Sequence, residues 1–271
     1  MPQYTLGHSD AEQERLQRQA SYVGAVTRHI WTMAGLEPGM RVLDAGCGVG
    51  DTTFLAAEMV GPGGEVTGID RSPDAVATAR RRAEERGAAN VRFVAGDLAH
   101  LPDGFGPFDA VVGRYVLVHQ PDIPAALRGL AALVRPGGLV AFHEVELRMS
   151  AFSEPVNPLG AQVYGWLRDA FEAGGARMRV VSNLTRYFHE AGLGWASTEI
   201  CPLVSCGADG FGPGYVIDTL RILAPVLERA GVVTAAEIGF DTLEARYREA
   251  SASGAPALVQ VNGGGWVRVG A

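Results

Sequence analysis

Residues 42–53 read "VLDAGCGVGDTT", with glycines at 46, 48 and 50 directly after a short apolar run. Met40, Val42 and Leu43 supply that run, Pro38-Gly39 breaks the chain before it, and the glycines end it, which predicts a buried strand. Beyond the glycines, "DTTFLAAEMV" sets Phe54, Leu55, Glu58 and Met59 at helical spacing. Strand, glycine turn and helix together aim backbone N–H groups and a helix N-terminus at an anionic group. A dinucleotide fingerprint would need G-x-G-x-x-G/A, whose third small residue lets helix pack on strand. Here Asp51 stands in that place, which weakens the dinucleotide reading.

Asp44 strengthens another. An acid at the end of the strand suits a ligand bearing a positive amino group and would repel a pyrophosphate. The string D-A-G-C-G-V-G (44–50) resembles the D/E-x-G-x-G-x-G motif of class I methyltransferases. Their donor, S-adenosylmethionine, joins an ammonium, a carboxylate and a sulfonium in one methionyl group. Alternatives kept at this point are a tight turn that binds nothing, a nicotinamide-dependent oxidoreductase and a non-catalytic S-adenosylmethionine-binding subunit.

Composition sets the outer bounds. A chain of 271 residues with 47% hydrophobic content suits one large α/β domain with a sizeable core. Acids outnumber bases 30 to 23, a formal charge of −7, which argues against nucleic acid as a partner. The basic run "ARRRAEER" (79–86) reads as a solvated helix face. Every base is arginine, so Schiff-base lysine chemistry is not open to this chain. Cys47, Cys201 and Cys206 are too scattered to predict a zinc site, and no metal is expected. With no long apolar run and no basic-then-apolar leader in residues 1–19, the expectation is a cytoplasmic protein, monomer or homodimer, with no membrane partner.

Further strand ends carry the same theme. "GEVTGIDRSPDAV" ends a second strand in Asp70, with Ser72-Pro73 opening a helix, and a terminal acid can accept from both hydroxyls of a ribose. "VRFVAGDL" ends in Asp97-Leu98, an acceptor for an adenine amino group beside an apolar platform. "FDAVVGRYVLVHQPD" predicts a fourth strand that runs into Arg114 and a loop, followed by a leucine-striped helix, Pro-Gly-Gly and a fifth strand.

Acids and glycine turns at successive strand ends resemble the class I methyltransferases related to the ubiquinone and menaquinone methylating enzymes and to small-molecule, secondary-metabolite methyltransferases. The resemblance covers residues 36–146 most strongly. It implies a Rossmann-like, doubly wound seven-stranded sheet in order 3-2-1-4-5-7-6 with an antiparallel seventh strand. It also implies that Asp44, Gly46 and Gly48 face the methionyl group, that Asp70 and Arg71 face the ribose, and that Asp97 and Leu98 flank adenine. Arg114 would lie on the cofactor's other side, and Gln19 would contact the cofactor from the N-terminal helix.

Substrate choice is expected outside the sheet. Ser9 and Glu12 form a capping box, and the helix behind it carries a polar stripe of Arg15, Gln19 and Tyr22. That stripe reads either as a surface face or as a lid with Tyr4 and Tyr22 near the methyl group. After the fifth strand, Leu159, Val163, Trp166, Leu167 and Ala170 form a helical stripe. Met149, Phe152, Tyr164, Phe171 and Met178 add aromatic and sulfur-rich surface, which suits a planar or apolar acceptor.

The expected segments are lid helices over 1–35, a cofactor-binding core over 36–146, a substrate cap over 147–192 and completion of the sheet over 193–271. Tyr4, Tyr115, Glu144, Phe152 and Trp166 are candidates to meet the substrate. Candidate bases are His119, His143, His189, Glu144 and Glu146, with His119 best placed in the loop after strand four and Tyr22 a further catalytic candidate. The expected reaction is in-line methyl transfer to an oxygen, nitrogen or carbon of a small metabolite of natural-product type.

Overall fold

The computed structural model describes residues 23–98, 105–148, 157–252, 254 and 256–270. Tyr4, the capping box, Arg15, Gln19, Tyr22, Met149 and Phe152 lie outside the described residues. Strands β1 (Arg41–Ala45), β2 (Glu65–Asp70), β3 (Val91–Ala95), β4 (Phe108–Arg114), β5 (Val134–Glu146), β6 (Ser197–Cys206) and β7 (Pro256–Arg268) form one sheet in order β3-β2-β1-β4-β5-β7-β6. The first five run parallel, and β7 is antiparallel to both β5 and β6. Fold and order are those expected from the sequence.

Helices cover both faces, which is why β1 and β4 are almost wholly apolar and buried. They are α1 (23–34), α2 (Asp51–Val60), α3 (Pro73–Arg86), α4 (Ile123–Ala131), α5 (Pro158–Ala173) and α6 (Leu184–Glu190). Local chemistry starts them where the sequence predicts: Ser72 accepts from the Ala75 amide at 3.2 Å with Pro73 in the first turn, and Asn157 accepts from Gly160 at 2.9 Å ahead of Pro158. No described helix is long and apolar enough to cross a membrane.

The segment from 193 onward does more than complete the sheet. Between β6 and β7 the chain adds α7 (Gly212–Arg229), α8 (Ala235–Ile238) and α9 (Phe240–Ala252). Val216, Ile217, Leu220, Leu223, Ala224 and Leu227 of α7 form a second core with Val163, Leu167 and Ala170 of α5 and with Leu243 and Tyr247 of α9. Pro225 sits inside α7 and Gly212-Pro213-Gly214 opens it, so breaker residues mask this helix in the sequence.

Three consecutive glycines in β7 decide how closely the layers approach. A Cβ at Gly263 would lie 2.3 Å from Val181 Cγ1, and one at Gly265 would lie 3.2 Å from Leu184. On the opposite face a Cβ at Gly264 would lie 2.3 Å from Cγ2 of the fully buried Ile30 in α1. Bare backbone here lets α1 and the 181–188 segment press onto opposite faces of one strand. Gly264→Ala is therefore expected to cost about 1–3 kcal/mol by overpacking, and Gly265→Ala less. The Gly264→Ala loss should shrink when Ile30→Ala is added. Urea denaturation of the single and double variants checks this; equal losses at 264 and 265 would refute the close-approach account.

Candidate cofactor and acceptor site

The carboxyl ends of β1, β2, β4 and β5 meet where the strand order reverses, the place where open α/β sheets bind ligands. Asp44 is fully buried there. Its Oδ2 accepts from the hydroxyls of Thr52 (2.8 Å) and Thr53 (2.7 Å) at the start of α2. Its Oδ1 is buried with no hydrogen-bond partner among the described residues. Burial pushes the carboxyl up to about 6, against the pull of Thr53, Thr52 and the Arg114 guanidinium. A buried acceptor left open is costly unless a donor arrives.

Gly46, Gly48 and Gly50 all adopt positive φ, at 68°, 53° and 95°. At Gly46 a Cβ would meet Val116 at 2.8 Å, and at Gly50 it would meet Phe93 at 2.9 Å, so the turn is compressed between strands as well as left-handed. Asp51 opens α2 directly after this turn. It pairs with Arg82 at 2.6 Å, both side chains nearly buried, and Arg82 also donates to the Val49 carbonyl. The residue that departs from the dinucleotide fingerprint thus locks α2 to α3.

Asp70 is held by two amides: Gly48 N–H donates to Oδ2 and Ser72 N–H to Oδ1, each at 2.9 Å. These two bonds orient the carboxylate and leave it with further acceptor capacity. Arg71 is exposed beside it. Asp97 is exposed after β3, and Leu98 is half-buried against the main core. The Gly96 amide bonds to the Asp70 carbonyl at 2.9 Å, which ties the ends of β2 and β3 together.

The β4 end departs from simple expectation. Tyr115, a non-glycine residue, has φ 58°, a conformation costing about 1–3 kcal/mol. Its amide donates to the His143 carbonyl at 2.8 Å. The next three amides, of Val116, Leu117 and Val118, donate to the Glu144 carboxylate at 2.9, 2.8 and 3.2 Å. Glu144 is fully buried, and burial pushes its pKa to about 7 despite those amides. Glu144 is therefore no solvated acid: its oxygens hold the turn after β4. Glu146, also buried, accepts from the Ser182 amide at 2.9 Å.

His143 is fully buried between Thr27 of α1 (Nδ1, 2.9 Å) and Asn262 of β7 (Nε2, 3.2 Å). Burial, then Arg114, lowers it to about 3, so the ring is neutral. The Thr27 hydroxyl itself donates to the Val23 carbonyl at 3.0 Å, which ties the imidazole contact back into α1. The Tyr115 hydroxyl donates to Asn262 Oδ1 at 2.5 Å and accepts from Gln260 at 2.8 Å; burial keeps it a phenol. Arg114 reaches Thr27 Oγ1 at 3.5 Å. Thr27, Thr52, Thr53, Gln260 and Asn262 were absent from the sequence reading, although "QVN" sets Gln260 and Asn262 two apart, on one strand face.

His119 ends a 3-10 turn (Leu117–His119) and is pushed down to about 4, by burial first and Arg71 second. At neutral pH it is an uncharged imidazole of low basicity, better suited to hydrogen bonding than to proton removal. His189 is exposed on α6, stacked on Trp195 at 4.1 Å, outside this cluster. Trp166 is half-buried within the α5–α7–α9 core.

The open oxygen of Asp44 predicts a pH dependence. A cationic ligand group needs the ionised carboxylate, so affinity should be full above pH 6 or so and fall as pH drops through about 6, where the free protein takes up a proton. Asp44→Asn should weaken binding of S-adenosylhomocysteine and flatten this profile. Calorimetric titrations across pH check it; a profile unchanged by the substitution would contradict it.

The chain is similar to known proteins in sequence and in fold. The model of the family described as "Methyltransferase domain" matches residues 36–187, more than half of the chain. The aklanonic acid methyltransferase DauC of Streptomyces sp. (strain C5) is 42% identical over 116 residues, 42% of this chain and 52% of its own. The demethylmenaquinone methyltransferase of Lactococcus lactis is 34% identical over 126 residues, 46% of this chain and 47% of its own. The chain thus spans about half the length of these relatives. A crystal structure of a methyltransferase-like protein from Bacillus halodurans superposes with TM-score 0.57 at 14% identity, covering 90% of this chain and 98% of that one. This chain belongs to the methyltransferase domain family.

Proposed function

We propose that this protein transfers the methyl group of S-adenosylmethionine to a small, planar or hydrophobic acceptor. The observation that carries the reading is the Asp44 carboxylate: one oxygen held by two threonine hydroxyls, the other buried and open beside a left-handed glycine turn. Those residues fit the donor. Asp44 would take the methionyl ammonium, Gly46 and Gly48 would leave room for the methionyl chain, and Arg114 would balance its carboxylate. Asp70 would accept from the ribose hydroxyls, with Arg71 at the rim. Asp97 and Leu98 would receive adenine, and Gln19 would add a contact from the N-terminal segment.

The donor supplies a methyl group already activated on sulfonium. The protein's task is then to hold the acceptor in line and exclude water, and orientation alone can contribute roughly 7–11 kcal/mol of barrier lowering. Of the expected lid segment 1–35, α1 is packed into the fold through Thr27, Ile30 and Trp31; Tyr4 and Tyr22 would meet the methyl group. The cap over 147–192, with Phe152 and Trp166, is extended by α7 and α9, which pack on α5. Tyr115 after β4, Tyr164 of α5 and Tyr215 of α7 would add aromatic surface on the acceptor side. Aromatic walls suit an apolar ring and a positive methyl group. The names of the two relatives, aklanonic acid and demethylmenaquinone methyltransferase, support a small organic acceptor of natural-product or quinone type. His119 would meet the acceptor as a neutral hydrogen-bonding group.

Two outcomes are expected. With methyl-labelled donor, a panel of hydroxyquinones, phenols and aromatic polyketide acids should yield a product heavier by one methyl group, and absence of transfer to every member would oppose this acceptor class. Asp70→Ala should weaken S-adenosylhomocysteine binding by about 1.5–3 kcal/mol, roughly ten- to hundredfold, in a variant with native circular dichroism. Unchanged affinity would mean that Asp70 only organises the Gly48 and Ser72 amides.

A further inference from the structure

Away from the crevice, α1 and the outer strand β6 bring together His29, Glu199 and Cys201. Glu199 and Cys201 are two apart on β6, so their side chains share one face, and they pair with Gly264 and Asn262 of β7. The same bare Gly264 that admits Ile30 lets α1 sit close enough for His29, the residue before Ile30, to span to β6. His29 Nε2 lies 2.8 Å from Glu199 Oε1. The imidazole nitrogen, carboxylate oxygen and Cys201 Sγ all lie within 4.8 Å of one another. His29 is exposed and the other two are half-buried, so the group is open to solvent. Cys201 also packs against the core that Ile30 and Trp31 enter, which fixes one side of the cluster.

We propose that His29, Glu199 and Cys201 bind one zinc-class divalent ion, a clip that fastens α1 to the edge strand. One nitrogen, one oxygen and one sulfur ligand select zinc or its cobalt surrogate over magnesium and calcium, which take oxygen ligands. Tetrahedral zinc needs its ligand atoms about 2.0–2.3 Å from the metal, so the His29–Glu199 hydrogen bond would open to admit the ion. Solvent access leaves the fourth position to water. Binding energy at such a site adds to folding energy. It would be felt at α1, the helix whose Thr27 reaches His143. The proposed site departs from the expectation, drawn from the scattered cysteines, of no metal: folding brings a histidine and a carboxylate to Cys201.

The proposal is tested on the full chain, reduced with a non-thiol phosphine and freed of metal by a chelator that is then removed. Titration with cobalt(II) should give a saturable signal at one ion per chain. The signal should combine thiolate-to-cobalt charge transfer in the near ultraviolet with the visible bands of a four-coordinate ion, and zinc should abolish it. Cys201→Ala should remove the charge-transfer band. His29→Ala and Glu199→Gln should each weaken binding by at least about tenfold. Cys206→Ser, on the same strand, should leave it unchanged. Zinc should raise the melting temperature of the native chain and not of Cys201→Ala. Absence of a saturable cobalt spectrum overturns the proposal, as does a charge-transfer band that survives Cys201→Ala. Neither result bears on methyl transfer, because these side chains lie outside the crevice.

Discussion

Asp44 is the constraint around which the site is arranged. A fully buried carboxylate carries a large desolvation cost, and here the protein offsets only part of it. Thr52 and Thr53 satisfy one oxygen, and the other is left without a donor among the described residues. That incomplete satisfaction explains the elements nearby. The first turn of α2 must carry two hydroxyls, the preceding turn must be bare backbone, and Asp51 pairs with Arg82. Asp70, held by the amides of Gly48 and Ser72, then stands at a fixed distance from Asp44 across the same turn.

The other half of the crevice is built from β4, β5 and β7 and rests on a second buried acid. Glu144 gathers three successive amides, and this offsets the strained φ of Tyr115 at the start of the turn. Tyr115, Gln260, Asn262, His143 and Thr27 continue from there as one hydrogen-bonded chain that ends near Arg114. Such a network rigidifies only when its members are satisfied. Its hydrogen bonds also bring α1 and β7, remote in sequence, to the edge where an acceptor would lie. The glycines of β7 make that approach sterically possible.

The parallel half of the fold was legible because its signals are local. Apolar runs, glycine turns and acids recur at the ends of successive strands, and Ser72-Pro73 marks a helix start within four residues. Asp44 and Asp70 belong to that class. What escaped depends on partners distant in the chain. Glu144 reads as a surface acid on an alternating strand until the turn 28 residues before it donates three amides. Thr27 and Asn262 are unremarkable until His143 stands between them. Helix α7 is masked by Pro213 and Pro225, and its apolar stripe finds a purpose only against α5 and α9. His29 and Cys201 are far apart in the sequence and meet only because Gly264 has no side chain.

The central claim is that the glycine turn with Asp44 selects an adenosyl amino acid over a dinucleotide. Titration calorimetry of the full chain with S-adenosylmethionine, S-adenosylhomocysteine, NAD and NADP tests it directly. The account predicts one site per chain with affinity in the micromolar range, about −8 kcal/mol, for both adenosyl compounds and no heat with either dinucleotide. Saturable dinucleotide binding, with no heat from either adenosyl compound, would contradict it.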